Sequence, residues 1–263
     1  MLGKLIQFNI KSISRIMLPI YLILLATTVS TTILVSFQVD AVAYQIFLGF
    51  SMFAYVISLV ALLVGSMIAI LVHFYKSTIC DQAYFTFTLP ASINQHLIAN
   101  TLVGCFWMIL SIVLSLTSMI SVFIGYNKAE TIRIIKETLH LMNVELKSEL
   151  GISGGFALFL FIFLFVFSLV LQMNLYQLCF AAGQTFRGHK LAGSFVVYII
   201  SYFIMEIILM IPLVISMLIG HTDLYTLKDF SPFLIIYLIL YLAFAIVTFY
   251  LANYFFSHKM NLE

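Results

Sequence analysis

The sequence predicts an all-α integral membrane protein with six transmembrane helices. Of its 263 residues, 63% are hydrophobic and only 8% are charged, and the mean hydropathy is +1.16. A soluble domain of this size needs a more charged surface than that. The apolar residues form long continuous runs and do not show the alternating pattern of an outer-membrane β-barrel. Helices, which satisfy their backbone polar groups internally, are therefore the expected structure.

Six apolar runs are long enough to cross a hydrocarbon core about 30 Å thick, which takes about 20 helical residues. A basic segment precedes the first run, as in a signal peptide, but no small-residue cleavage site ends it. We interpret this run as an uncleaved span. The six runs are Pro19–Phe37, Ala43–Val72, Leu97–Ile124, Gly151–Gly183, Ala192–Gly220 and Pro232–Phe256.

The distribution of Lys and Arg predicts the orientation in the membrane. With six spans, both termini share one side with the second and fourth loops, and that side carries seven Lys and Arg residues against two acidic residues. The opposite side carries five Lys and Arg residues against seven acidic residues. Because cytoplasmic loops carry the excess of cations, we expect a multi-pass protein of the plasma membrane with both termini in the cytoplasm.

Two segments outside the spans have helical periodicity. In residues 1–17, apolar side chains recur at helical spacing between charged ones, which predicts an interfacial helix on the inner membrane surface. This helix is either an anchor or a connecting helix that touches a cytoplasmic partner. Residues 126–150 predict an extracytoplasmic amphipathic helix that packs on the bundle or the membrane surface, with substrate gating or a dimer contact as the alternative. Its apolar positions are Ile132, Ile135, Leu139, Met142 and Leu146.

The sequence offers no enzymatic motif. Residues 183–190 space two glycines as in a P-loop, but His189 stands where the phosphate-binding Lys is needed and no Ser or Thr follows Lys190. The chain has no HExxH motif, no ligand spacing among its six histidines and no CxxC pair among its three cysteines. We therefore expect no catalytic residue, no metal and no cofactor in this chain, and no nucleic-acid partner.

One carboxylate, Glu206, falls deep inside a predicted span. A charged residue there costs about 3 kcal/mol, which the apolar residues of the span offset, but some group should solvate it. Gln172, Asn174 and Gln177 of the preceding span form a polar stripe and are its candidate neighbours. These four residues line either an internal path or a subunit contact, or else Glu206 is a protonated carboxyl hydrogen-bonded between helices.

The loop at residues 73–96, between the second and third spans, is rich in aromatic residues for a cytoplasmic linker. Tyr84, Phe85, Phe87 and Leu89 would form an exposed apolar surface, and such surfaces mark partner sites. The alternative is an aromatic belt at the lipid interface.

The order of residues in this loop, FYKSTICDQAYFTFTLPAS, resembles the loop between spans two and three of the type-2 permeases of bacterial ATP-binding-cassette (ABC) transporters, which are common in Gram-positive bacteria. The resemblance extends to MLGKLIQFNIKSISRIMLPIYLILL at the start, to GQTFRGHKLAGS before span five and to FFSHKMNLE at the end. It thus covers nearly the whole chain.

The resemblance implies that the loop carries a coupling helix that docks on a separate ATPase subunit. The coupling contacts would be Lys76, Asp81, Gln82, Tyr84 and Phe85, although relatives often have an acidic residue where Gln82 stands. ATP and Mg would be bound by the partner ATPase. Two permease subunits, identical or related, would pair in the bilayer.

We therefore expect the permease subunit of an ATP-driven exporter. Its substrate would be apolar or amphipathic, such as an antimicrobial or toxin-like peptide, because the spans carry few fixed charges. One alternative is a secondary transporter that couples protons through Glu206. The other is a non-transporting immunity or sensor subunit that sequesters a peptide.

Overall fold

The computed structural model describes residues 2–37, 39–78, 92–150, 153–186, 188–218 and 227–258. These residues form seven α-helices and no β-strand, which confirms the predicted all-α class. The helices are α1 (Leu2–Phe37), α2 (Val42–Thr78), α3 (Ile93–Tyr126), α4 (Lys128–Leu150), α5 (Gly154–Gly183), α6 (Lys190–Leu218) and α7 (Leu227–His258).

Six of these helices are long and apolar enough to cross a membrane, as the sequence predicts. The qualifying segments within them are Leu2–Phe37, Val42–Ser77, Ile93–Tyr126, Gly154–Gly183, Lys190–Pro212 and Ile236–His258. The remaining helix, α4, is the amphipathic segment between the third and fourth spans. The chain is therefore a multi-pass helical membrane protein.

Most boundaries differ from the predicted ones by a few residues, and three of these differences change the interpretation. The interfacial helix at residues 1–17 and the first span are one continuous helix, α1, with Pro19 inside it. At 36 residues it is about 54 Å long, well beyond the hydrocarbon thickness. Ser153, not Gly151, marks the start of α5, because its side chain accepts a hydrogen bond from the Phe156 amide. Helix α7 begins at Leu227, before the predicted Pro232.

The chain divides into two compact units, which we name after the side chains that join their helices. The hydroxyl unit comprises Ile6–His73 and Phe106–Leu139, and the amide unit comprises Met1–Leu5, Phe74–Cys105 and His140–Glu263.

Within the hydroxyl unit, α1 and α2 are joined by pairs of small hydroxyl side chains. The Thr27 and Ser58 hydroxyl oxygens are 2.7 Å apart, and those of Thr31 and Ser51 are also 2.7 Å apart. Thr31 and Ser58 are buried. Small residues let the helix backbones approach closely, which supplies packing where lipid offers no hydrophobic drive.

Helix α3 joins this unit in the same way. The Tyr21 hydroxyl of α1 lies 2.9 Å from the Ser111 hydroxyl, and the Tyr55 hydroxyl of α2 lies 3.1 Å from that of Ser118. The Tyr21 ring also packs on the chain's single tryptophan, Trp107, with 5.9 Å between ring centroids. Each of the three helices therefore bonds to both others through hydroxyl groups.

In the amide unit, α5 is central because it packs against both α6 and α7. Near its C-terminal end, side chains from α3, α5 and α7 form a buried apolar cluster. Its members are Leu97, Leu178, Ala181, Ala252 and Phe256. The small alanines on α5 and α7 allow these two helices to lie close together.

Helix α4 occupies the predicted amphipathic segment. Asn127 caps it by accepting a hydrogen bond from the Glu130 amide at 3.2 Å, and Arg133 forms a 2.7 Å ion pair with Glu130. The expected apolar face is exposed, with Ile132 at 39% and Leu139 at 53% exposure. This exposure is consistent with an apolar face that packs on the membrane surface or on another subunit. The extracytoplasmic location of α4 stays a prediction.

Candidate functional site

The predicted coupling loop falls mostly outside the described residues. Of its five candidate contacts, Lys76 is described, and its side chain is exposed in the last turn of α2. Asp81, Gln82, Tyr84 and Phe85 lie outside the described residues. The coupling role of this segment therefore stays a prediction from the sequence, and Lys76 is the described member of the five candidate contacts.

The helix after the loop begins four residues before the predicted span, which starts at Leu97. Helix α3 begins at Ile93, and the preceding Ser92 accepts a 3.4 Å hydrogen bond from the Gln95 amide, as an N-cap residue does. The residues that follow soon leave solvent, since His96 and Asn100 are buried. The start of α3 is thus anchored within the amide unit.

The polar side chains of α5 do not form a single stripe. Gln172 and Asn174 are two residues apart, about 200° around a helix, so they point to nearly opposite sides. Asn174 and Gln177 face α3 and α7, whereas Gln172 faces α6. The four candidate path residues therefore belong to two separate sites.

The first site is a buried amide junction. The Gln177 Nε2 atom donates a 2.9 Å hydrogen bond to Thr101 Oγ1, and the Thr101 hydroxyl donates one, also 2.9 Å, to Asn174 Oδ1. Asn174 Nδ2 in turn donates to the backbone carbonyl of Ala245 at 3.3 Å. This chain of bonds connects α3, α5 and α7. Gln177 is only 1% exposed, so the junction is sealed from its surroundings.

One atom of this junction is left without a partner. The Gln177 Oε1 oxygen is buried and has no hydrogen-bond partner among the described residues. An unpaired buried acceptor costs about 1–3 kcal/mol. The junction is therefore a structural connection with one free acceptor, and it shows no open path.

The second site is a ladder of tyrosines between α5 and α6. Gln172 donates from Nε2 to the Tyr198 hydroxyl at 3.4 Å, and it also bonds to Tyr176. The Tyr176 and Tyr198 rings lie 5.9 Å apart, and the Tyr198 and Tyr202 rings lie 6.2 Å apart.

The ladder ends at Glu206. The Tyr202 hydroxyl donates a hydrogen bond to the Glu206 carboxylate. Glu206 is exposed, so its surroundings are not the interior of this chain. We call Tyr198, Tyr202 and Glu206 the tyrosine–carboxylate face.

A tight helical hairpin fixes where α6 begins relative to α5. A Cβ atom on Gly183 would lie 2.7 Å from the Ser194 amide nitrogen and 2.8 Å from its Cα, so the two backbones are in contact. The connection turns at Gly188, whose φ of 89° favours glycine. The predicted P-loop mimic is thus the turn of this hairpin, and the hairpin holds α6 with its tyrosines against α5.

The hydroxyl unit contains a separate groove of about 330 Å³ between α1 and α3. Hydroxyl groups line it, but each bonds to a carbonyl of its own helix, as Thr28 does to Leu24 and Thr117 does to Val113. The groove therefore presents mainly methyl groups and suits an apolar chain.

Sequence reasoning identified Glu206 and the amides but missed Thr101 and the tyrosines. Tyr198, Tyr202 and Glu206 are spaced four residues apart, which places them on one side of α6 and is visible in the sequence. Thr101 carries no such signal, because its bonds are to residues more than seventy positions away.

The described residues contain no group of three or more His, Cys, Asp or Glu side chains that could hold a metal ion. Cys105 and Cys179 are free and buried. Comparison of the chain with protein-family models, curated proteins and solved structures gives no match. The class of protein that the fold defines is a multi-pass helical membrane protein, and a more specific function rests on its residues alone.

Proposed function

We propose that this chain is the membrane-spanning permease subunit of an ATP-driven exporter of the ABC type, in the plasma membrane with both termini in the cytoplasm. A separate ATPase subunit binds ATP and Mg, and a second permease subunit, identical or related, completes the transporter. The chain itself is not catalytic. Its substrate is an apolar or amphipathic molecule such as a peptide.

The observation that carries this proposal is the segment between α2 and α3. It resembles the coupling loop of type-2 permeases, and it joins two helices that are longer than a span requires. Helix α2 has 37 residues and α3 has 34, or about 55 Å and 51 Å, against a hydrocarbon core of about 30 Å. Helices of this length can carry the loop beyond the lipid, within reach of a cytoplasmic protein.

The polar residues at the two helix ends support the same placement. His73 and Lys76 lie in the last turns of α2, and Asn94 and Gln95 lie in the first turn of α3. Such side chains are costly inside hydrocarbon, so these ends are suited to the membrane surface or the aqueous phase. The exposed Lys76 ammonium is available to an acidic group on a partner.

The test is co-purification with the ATPase. The tagged chain is co-expressed with the product of a neighbouring ATPase gene and purified in detergent, as wild type and as the double variant Tyr84→Ala, Phe85→Ala. We expect the wild type to retain the ATPase and the double variant to lose most of it, because aromatic anchors dominate such interfaces.

A matched control is Tyr126→Ala. Tyr126 is an exposed aromatic residue, at 66% exposure, at the opposite end of α3 from the loop. It should retain the ATPase as the wild type does. If the wild type, the double variant and Tyr126→Ala all retained the ATPase, the loop would not be part of the interface. The absence of the ATPase even from the wild type would contradict the proposal and favour the proton-coupled transporter.

A further inference from the structure

A carboxylate is exposed on the side of a transmembrane helix. Glu206 lies near the middle of α6, and it is the only Asp or Glu within the six span ranges. The surface around it is apolar, with Phe203 at 61% and Ile207 at 62% exposure. Because a carboxylate in such surroundings is costly, Glu206 calls for a partner beyond the contacts of its own unit.

The side chains beside Glu206 indicate the chemistry of that partner. Tyr202 bonds to the carboxylate, is 43% exposed, and stacks on Tyr198 with an interplanar angle of 28°. Aromatic faces attract organic cations through their quadrupole, and a carboxylate attracts them through its charge. The tyrosine–carboxylate face therefore has the two elements of a cation site.

The helix that carries Glu206 does not supply this cation itself. The basic residue of α6 is Lys190, sixteen positions away, which is about 24 Å along a helix. Neither side chain spans that distance. Helix α5 and the span Ile236–His258 of α7, which belong to the helices packed against α6, also carry no Lys or Arg. A bound molecule is therefore a suitable source of the counter-charge.

We propose that Tyr198, Tyr202 and Glu206 bind a cationic amphiphile, with its cationic group against the Glu206 carboxylate and the tyrosine rings and its apolar body along Phe203 and Ile207. This inference deepens the proposed function by naming the substrate class, and it rests on that function for the export step. Binding itself is a property of this chain alone.

A second copy of the chain fits this face less well. Pairing α6 with α6 across a twofold axis would bring two Glu206 carboxylates together, and like charges in a low-dielectric site are destabilising. A cationic ligand neutralises the charge, whereas a second copy doubles it. Charge complementarity thus favours the ligand.

Binding is measured on the purified chain in lipid nanodiscs without any ATPase. The probes are radiolabelled tetraphenylphosphonium, an apolar cation, and tetraphenylborate, an anion of matched size and shape. We expect saturable binding of the cation to the wild type and about tenfold weaker binding to Glu206→Gln. The anion should bind the wild type weakly, with an affinity no higher than that of the cation for Glu206→Gln. Its own affinity should not fall when Glu206 is replaced by Gln.

Two tyrosine variants test the ring separately from the hydroxyl. Tyr202→Phe keeps the aromatic face and should keep most of the cation affinity, whereas Tyr202→Leu should lose it severalfold. These variants also test the site if Glu206→Gln fails to fold, which thermal unfolding and elution volume reveal. Equal affinity in Tyr202→Phe and Tyr202→Leu would remove the ring from the site.

Three results would overturn the proposal. One is equal cation binding to the wild type and Glu206→Gln, and another is anion binding as tight as that of the cation. The third is a change of oligomeric mass in Glu206→Gln with cation affinity unchanged, which would assign the face to a contact between copies. None of these bears on ATPase co-purification, so the failure of this site and the failure of the proposed function are distinguishable.

Discussion

The hydroxyl unit and the amide unit connect their helices in different ways. In the hydroxyl unit, a side chain such as Ser58 bonds across to α1 and also to a carbonyl in its own helix, that of Tyr55 at 2.7 Å. In the amide unit, Asn174 and Gln177 reach only to other helices in their recorded bonds.

This difference has an energetic consequence. A Ser or Thr hydroxyl that loses its partner on another helix can rely on the i−3 or i−4 carbonyl of its own helix. A carboxamide in the middle of a helix has no such local substitute. When it loses its partner on another helix, buried polar groups on both sides stay unpaired. The hydroxyl unit should therefore tolerate the loss of single bonds, whereas the amide unit should respond to each loss.

Two sets of native residues report on the two units independently. Trp107, the single tryptophan, is buried in the hydroxyl unit, so its fluorescence follows that unit. Cys105 and Cys179 are buried and free in the amide unit, so their labelling by a maleimide follows the opening of that unit. A Cys80→Ser background leaves these two thiols as the only reactive ones.

The largest effect is expected for Gly183→Ala in the amide unit. The added methyl group would meet backbone atoms of Ser194 at 2.7 and 2.8 Å, and α5 and α6 would have to separate to admit it. Overpacking of this kind costs about 1–3 kcal/mol or more. We expect faster labelling of the two buried cysteines and a lower unfolding midpoint in mixed micelles.

Gly155→Ala is the control for this prediction. Gly155 lies in the same helix, but a Cβ atom there would meet nothing within 4 Å. It should leave stability unchanged or raise it by up to about 1 kcal/mol, since Ala favours helix. Equal destabilisation by the two substitutions would show that the close approach of α5 and α6 is not the cause.

The sequence was sufficient to predict the six spans but not how they meet. Hydropathy and length identify a span because the bilayer imposes them on each helix separately. The contact between Gly183 and Ser194 depends on two helices at once, and the sequence around Gly183 suggested only a failed P-loop. Likewise, Gln172 and Asn174 looked like one stripe until their angular separation and their partners assigned them to different neighbours.

The continuity of α1 was also beyond the sequence pattern. The pattern predicts a surface helix over residues 1–17 and a separate span from Pro19, and proline removes a backbone donor and clashes with the preceding turn. The helix nevertheless continues from Leu2 to Phe37. Proline is tolerated in transmembrane helices where neighbouring groups satisfy the freed carbonyl, and the local sequence does not show those groups.

A smaller effect is expected for Thr101→Val at the amide junction. The variant keeps the shape of the side chain but leaves Asn174 Oδ1 without its donor and Gln177 Nε2 without its 2.9 Å acceptor. Stranding buried polar groups costs about 1–3 kcal/mol. Cysteine labelling should accelerate, with Trp107 fluorescence less affected. A decrease in the free energy of unfolding of less than about 0.3 kcal/mol would mean that the junction does not stabilise the unit.

The smallest effect is expected for the same substitution in the other unit, Thr31→Val. Thr31 is fully buried and lies 2.7 Å from the Ser51 hydroxyl, yet Ser51 can turn to a carbonyl of its own helix when that partner is lost. The cost should be about 0.6 kcal/mol, typical of a hydrogen bond between membrane helices.

Thr117→Val is the control, since Thr117 is exposed and bonds only within α3 in its recorded contacts. The contrary result would be a loss of unfolding free energy for Thr31→Val, followed by Trp107 fluorescence, as large as the loss for Thr101→Val, followed by cysteine labelling. In that case, new hydrogen bonds within the same helix do not protect the hydroxyl unit. The tolerance inferred for that unit would then be wrong.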